Sequence, residues 1–340
     1  MKINIYQNNL LFIAIITILL ISLKWVQSYL NFPYEDINLR VIYDINDSSY
    51  FPLIKSFENW NFKPSYSINE NSSNFISFPI LSLSINILLF KIFGSYSYLI
   101  IEFISVTIFI SIFFYIFKGI NISNHFSLLF ALLLFIFPFF IEQLATFDNL
   151  ILQKISLNLS SFYNLRNPRP LITNLYLFIS LLYLLKIFYL EEQKLSNYVI
   201  LAIVVGLTLH TFFYFFLFQL VLFAILNLKK NNLNLKKILC FNYKQNIIFT
   251  LIIFIFALIF ILQLYLSESD YMQRLGMKSM SFDQKRIMID YMINFFTKIE
   301  FVTLFLLNTF IFFFNRKKLN DLFYYLFLST ILSTTFFILI

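Results

Sequence analysis

Apolar residues in this chain gather into long runs separated by short polar breaks. A helix crossing the hydrocarbon core of a bilayer needs about 20 apolar residues, with a range of roughly 17–25. The first run, Leu10–Leu30, meets that length and carries Lys24 late in it, where a long side chain can reach headgroups. It has a weakly basic start at Lys2 and no small-residue cleavage site near its end, which predicts an uncleaved anchor with its N-terminus in the cytoplasm. Further spans are predicted over Tyr98–Phe117, Phe126–Ile141, Leu171–Phe188, Ile247–Leu266, Phe301–Phe314 and Leu322–Ile340. The run Tyr198–Leu226 has 29 residues and contains Gly206 and His210. It is one long tilted helix or, as favoured here, a tight hairpin of two short ones. The expectation is an all-α, polytopic transmembrane helix bundle of about 9 spans. Residues 1–340 form a single integral membrane domain: 10–30 the first span, 31–97 an acidic loop and 98–340 the remaining spans. The last span ends at the terminus with no polar tail, as a C-terminally truncated version of a longer chain would.

The stretch Phe75–Phe93 breaks the pattern. Pro79 sits inside it, and proline is tolerated at a helix start but not in the middle. The helix that can follow, Ile80–Phe93, has 14 residues, which suits an interfacial or re-entrant helix better than a span. Two topologies result. If Ile80–Phe93 spans and Tyr198–Leu226 is one helix, Ala145–Pro170 faces the cytoplasm. If Ile80–Phe93 lies in the interface and Tyr198–Leu226 is a hairpin, that segment faces out. Both place Lys229, Lys230, Lys236, Lys237, Lys244 and Arg316–Lys318 in the cytoplasm, so the bias of basic residues toward that side does not separate them.

Composition narrows the function classes. Of 340 residues, 60% are hydrophobic and 12% charged, against about 25% charged in a soluble domain. Mean hydropathy is +0.79. Four glycines leave no material for a Gly-rich phosphate loop. One cysteine, Cys240, and two histidines, His125 and His210, exclude a thiolate zinc site and a disulfide framework. The 48 Phe and 21 Tyr fit A/T-biased coding and lipid exposure better than a stacking platform. The net charge of +8 fits cytoplasmic retention of basic residues, with no nucleic acid partner.

Three polar segments can carry chemistry. Asn31–Asn74 holds Glu35, Asp36, Asp44, Asp47, Glu58 and Glu70, six of the 17 acidic residues. An ionised carboxylate there can act as a general base on a hydroxyl, although most loop carboxylates are simply solvated. Ser160–Pro170 places Arg166 and Arg169 in a Pro-stiffened loop directly before a span. Two guanidinium forks suit an anionic lipid phosphate or pyrophosphate, and equally a headgroup anchor. Ser267–Lys298 mixes Arg274, Lys278, Lys285 and Arg286 with four acids, and Phe282–Phe296 reads as a helix lying on the membrane surface. That segment can cover a lipid-linked substrate, or serve only as a solvated connection. Glu102 and Glu142 lie near span ends, and an ionisable residue within a span is a functional candidate by default. His210 has no carboxylate or cysteine at metal spacing and is expected to be a satisfied or interfacial histidine.

The order of these parts resembles the GT-C superfamily, polytopic glycosyltransferases that use polyprenyl-phosphate-linked sugars. The resemblance covers residues 8–230. Asp47-Ser48-Ser49-Tyr50 followed by Leu53–Phe57 is similar to that family's acidic motif with a tyrosine three residues on. Pro79–Gly94 resembles its interfacial helix, and Phe137-Pro138-Phe139-Phe140 the end of its third span. Ser48 stands where a second acid is common, and the pair Glu35-Asp36 lies closer to the first span, so Asp47, Asp44, Asp36 and Glu35 all stay candidates for the base.

The resemblance implies sugar transfer from a polyprenyl-phosphate donor to a glycan, lipid or protein acceptor at the outer face. Arg166 and Arg169 would stabilise the phosphate leaving group, and Tyr50 and Lys278 join them as substrate-binding candidates. No metal is demanded, though paired carboxylates leave a divalent cation open. The implied location is the plasma (inner) membrane of a bacterium, among membrane lipids. The competing readings are a transporter or flippase, a polymerase of surface glycans and an assembly protein without chemistry. A transporter favours repeated halves and charges at the midplane; here no repeat is detectable and mid-span charges are few. A glycan polymerase would carry its largest outer loop late in the chain.

Overall fold

The apolar runs fold as helices, because a backbone that leaves water must satisfy its own hydrogen bonds. The computed structural model of the chain describes residues 2–31, 50–60, 83–144, 171–230 and 243–266, with scattered positions between 150 and 310. The helices, in chain order, are α1 (Lys2–Asn31), α2 (Tyr50–Glu58), α3 (Ser84–Phe93), α4 (Tyr96–Gly119) and α5 (Asn124–Leu144). They continue with α6 (Leu171–Leu184), α7 (Leu195–Leu209), α8 (Phe213–Lys230) and α9 (Tyr243–Leu266). The described residues contain no strand. Among the described residues three helical stretches are long and apolar enough to cross a membrane: Tyr96–Gly119, Ile172–Tyr189 and Tyr243–Leu266. α9 leaves Leu251, Phe254, Ile255, Leu258 and Leu262 exposed, a surface stable against lipid and costly against water. These features are compatible with an integral membrane protein.

Two departures from the expected spans have local causes. α5 runs through Pro138 to Leu144, a continuation that apolar surroundings tolerate better than water does. α6 does not end as an α-helix. It passes into a π-helical turn over Leu185–Tyr189, where the Leu190 N–H donates to the Leu185 carbonyl at 3.0 Å. The predicted span Leu322–Ile340, and all but scattered positions of Phe301–Phe314, lie outside the described residues. Between Arg286 and Asn294 the described positions are helical and expose Ile287, Ile289 and Ile293, as a surface helix would.

The chain packs as two units: Met1–Phe178 with Leu266–Tyr271, and Ile179–Tyr265 with Met272–Ile340. In the first, α4 is the hub, packed against α1, α3 and α5. Phe117 meets Phe130 with ring centroids 5.7 Å apart, and Phe109 meets Phe135 at 6.1 Å. Numbers fall on one helix as they rise on the other, so α4 and α5 are antiparallel. Phe178 of α6 adds a third ring, 5.5 Å from Phe109 and 4.8 Å from Phe113.

In the second unit the run Tyr198–Leu226 is the hairpin that was favoured. It breaks at His210–Phe212, and α7 and α8 pair antiparallel through Tyr198 with Phe223 and through Thr208 with Gln219. α9 runs antiparallel to α8, with Phe249 stacked on Phe223 at 4.0 Å and Phe260 on Phe213 at 6.4 Å.

Candidate functional site

The acid-rich segment leads into α2. Pro52 at the third position of that helix is compatible with a helix start, where a missing N–H has no intrahelical partner to lose. Ile54 and Phe57, three residues apart, are buried. Lys55 and Glu58 form an ion pair at 2.9 Å. Trp60, in the left-handed region at φ 56°, follows the helix end. Lys55 also lies 5.2 Å over the Phe90 ring of α3, and Lys91 of α3 lies 5.3 Å over the Trp60 ring. Each cation–π contact contributes about 0.5–1 kcal/mol at an exposed site. Together they hold α2 on α3.

α3 starts at Ser84, one turn later than the predicted Ile80, and is 10 residues long. At 1.5 Å per residue that is about 15 Å, half the hydrocarbon thickness. One face, Leu83, Asn86 and Phe90, is buried; the other exposes Ile85, Leu88 and Ile92. An apolar stripe turned away from the packed face suits a helix lying at a membrane surface. The chain turns at Gly94, whose φ of 57° favours a residue without Cβ, and enters α4.

The direction of α4 decides the connectivity. Trp25, in the last two turns of α1, donates its indole N–H to the Glu102 carboxylate, in the first two turns of α4, at 2.9 Å. The end of α1 therefore lies beside the start of α4. α5, antiparallel to α4, ends near the start of α4 and the end of α1. A hydrogen bond to a charged partner contributes about 1.5–3 kcal/mol. Trp25→Phe is expected to lower the melting temperature of the detergent-solubilised protein, and Glu102→Gln, which keeps an acceptor oxygen, to lower it less. Thermal unfolding of the three proteins checks the order. Equal stability of all three would mean that this contact does not join α1 to α4.

Of the residues singled out in the sequence, Glu35, Asp36, Asp44, Asp47, Arg166, Arg169 and Lys278 lie outside the described residues. Tyr50 begins α2. Among the described residues no group of three or more His, Cys, Asp or Glu is arranged to hold a metal ion. The sequence reading marked Glu102 but not its partner, since 77 residues separate it from Trp25. It also passed over Asn86, a lone amide in the apolar run Ile85–Phe90. Asn86 is 1% exposed, and neither its amide oxygen nor its nitrogen has a hydrogen-bond partner. Leaving such a group unpaired costs about 1–3 kcal/mol.

The second unit has its own polar interior. His210 is buried, and its Nε2 lies 3.0 Å from the Phe256 carbonyl, to which it donates as the Nε2–H tautomer. The rings of Phe256 and Phe260 stand edge-on to it. Thr208 donates to the Gln219 side-chain oxygen, tying α7 to α8. His210 is thus the satisfied histidine that was expected. At the opposite end of this hairpin Lys230 lies 5.9 Å over the Phe188 ring. Partial burial pulls its ammonium pKa down, and the Glu191 carboxylate acts the other way.

No known family model matches this chain, and neither a curated protein nor a solved structure matches it.

Proposed function

We propose that this chain is a membrane glycosyltransferase of the GT-C kind, with about 9 spans. It moves a sugar from a polyprenyl-phosphate donor to a glycan, lipid or protein acceptor at the extracytoplasmic face. The observation that carries the reading is the arrangement at one end of the first unit. α1 and α4 run antiparallel, and between them in sequence lie the short helices α2, within the acid-rich segment, and α3, after it.

In this reading Asp47, or Asp44, Asp36 or Glu35, removes the acceptor hydroxyl proton as the sugar–phosphate bond breaks. Arg166 and Arg169 hold the charge that develops on the departing lipid phosphate, and Tyr50 and Lys278 bind substrate. The carboxylates have the chemistry to hold a divalent cation, but no step is routed through one. The protein would sit in the plasma (inner) membrane of a bacterium with its N-terminus in the cytoplasm.

The reading requires the acids and arginines on one side. Cys240 is replaced with Ser, one cysteine is placed at Ser48 or Tyr163, and intact cells are treated with an impermeant thiol reagent. Both positions are expected to label, and native Cys240 to stay unlabelled. Labelling at 48 without labelling at 163 would separate Arg166 and Arg169 from Asp47 and overturn the proposal.

A further inference from the structure

The amide of Asn86 is buried and without a hydrogen-bond partner. It lies on the packed face of α3, one turn before Phe90, whose ring meets Tyr98 of α4 edge-on at 6.1 Å and Lys55 of α2 from above. Ser97, in the first turn of α4 and 1% exposed, has a hydroxyl that is likewise without a partner. Two enclosed polar side chains on adjoining helices, with no protein groups to match them, are unusual, because buried polar groups are nearly always paired. Hydrophobic residues of similar size would pack there without loss. An amide offers two donors and an acceptor, and a serine hydroxyl offers a donor and acceptors. That set matches neighbouring hydroxyls of a sugar ring.

We infer that Asn86 and Ser97 form a subsite for the sugar hydroxyls of the lipid-linked donor, at the elbow between α3 and α4. The inference rests on the glycosyltransferase reading. α2, 9 residues long, is packed against α3. Binding of the sugar then completes hydrogen bonds that the empty protein lacks, so the subsite discriminates a sugar-bearing lipid from a bare lipid phosphate.

The test is the affinity of the purified full chain for undecaprenyl phosphate and for undecaprenyl phosphate carrying mannose, glucose or arabinose. Wild type is expected to bind at least one sugar-bearing lipid more tightly than the bare phosphate, by about tenfold for each hydrogen bond gained. Asn86→Leu is expected to abolish that preference, keep the affinity for the bare phosphate and raise the melting temperature of the ligand-free protein. Ser97→Ala reduces the preference by about tenfold and stands in should Asn86→Leu not fold. If both variants keep the full sugar preference, the subsite is wrong and the glycosyltransferase reading survives. If wild type shows no preference for any sugar-bearing lipid, the reading itself fails and the subsite with it.

Discussion

Gly206→Ala is expected to destabilise the second unit by about 1–3 kcal/mol, the range for forcing an extra carbon into a packed interior. A Cβ at this position would collide with Cδ2 of the Phe256 ring and stand 2.5 Å from its Cγ and 2.9 Å from its Cε2. Cγ lies on the axis of the ring's own rotation, so turning the ring cannot clear it; Phe256 must change χ1 within a packed interior or α9 must shift. The same residue's carbonyl accepts the hydrogen bond from His210, so that movement also stretches a contact now 3.0 Å long. Gly206→Leu should leave little folded protein. Thermal unfolding of the solubilised chain measures the effect, and Gly206→Ala combined with Phe256→Ala supplies the control. The double variant should lose less than the sum of the two single losses, because the second change removes the obstacle met by the first. Additive losses would mean that α7 and α9 do not meet at this point.

Asp47→Asn is expected to lower sugar transfer by about 10²- to 10⁴-fold, the contribution of a positioned general base. The amide keeps the size of the carboxylate and its acceptor oxygen but cannot take a proton at working pH. Donor binding should change little, since in the proposed mechanism this carboxylate serves the acceptor hydroxyl. Transfer of a radiolabelled sugar from a polyprenyl-phosphate donor in isolated membranes measures it. Asp44→Asn, Asp36→Asn and Glu35→Gln, run beside it, identify the base by which change has the largest effect. Four variants with wild-type transfer would remove the carboxylate mechanism.

Which features could be read in advance follows from how local their causes are. Helix positions follow from runs of apolar residues, and the observed α4 and α9 differ from the predicted spans by only a few residues at each end. The break at His210 and the short helix after Pro79 were also visible, because run length and proline are properties of a single stretch. The antiparallel pairing of α1 with α4 was not, since it depends on a contact between residues 77 positions apart. Gly206 could be noticed as a glycine in an apolar run, but only the position of Phe256 shows why a larger residue does not fit. Asn86 carried a weak signal, one amide among aliphatic neighbours, and its unpaired state is a property of three-dimensional packing alone. The acids and arginines of the proposed site are known from sequence only, and their roles stand on the resemblance and on the helices that flank them.

The π-helical turn at Leu185–Tyr189 bears on how this chain tolerates change in length. α6 contributes Leu171–Phe178 to one unit, and the rest of it, with that turn, belongs to the other. Each residue of an α-helix advances about 100° around the axis, so an extra residue accommodated in one wide turn rotates everything after it by that amount. A one-residue deletion here would let the helix close into ordinary register, yet would swing Ile187 and Phe188 away from the neighbours they now meet. A deletion inside the turn should preserve helicity yet lose the contacts that Phe188 now makes with Phe223, so helix content and correct packing would part company at this one position.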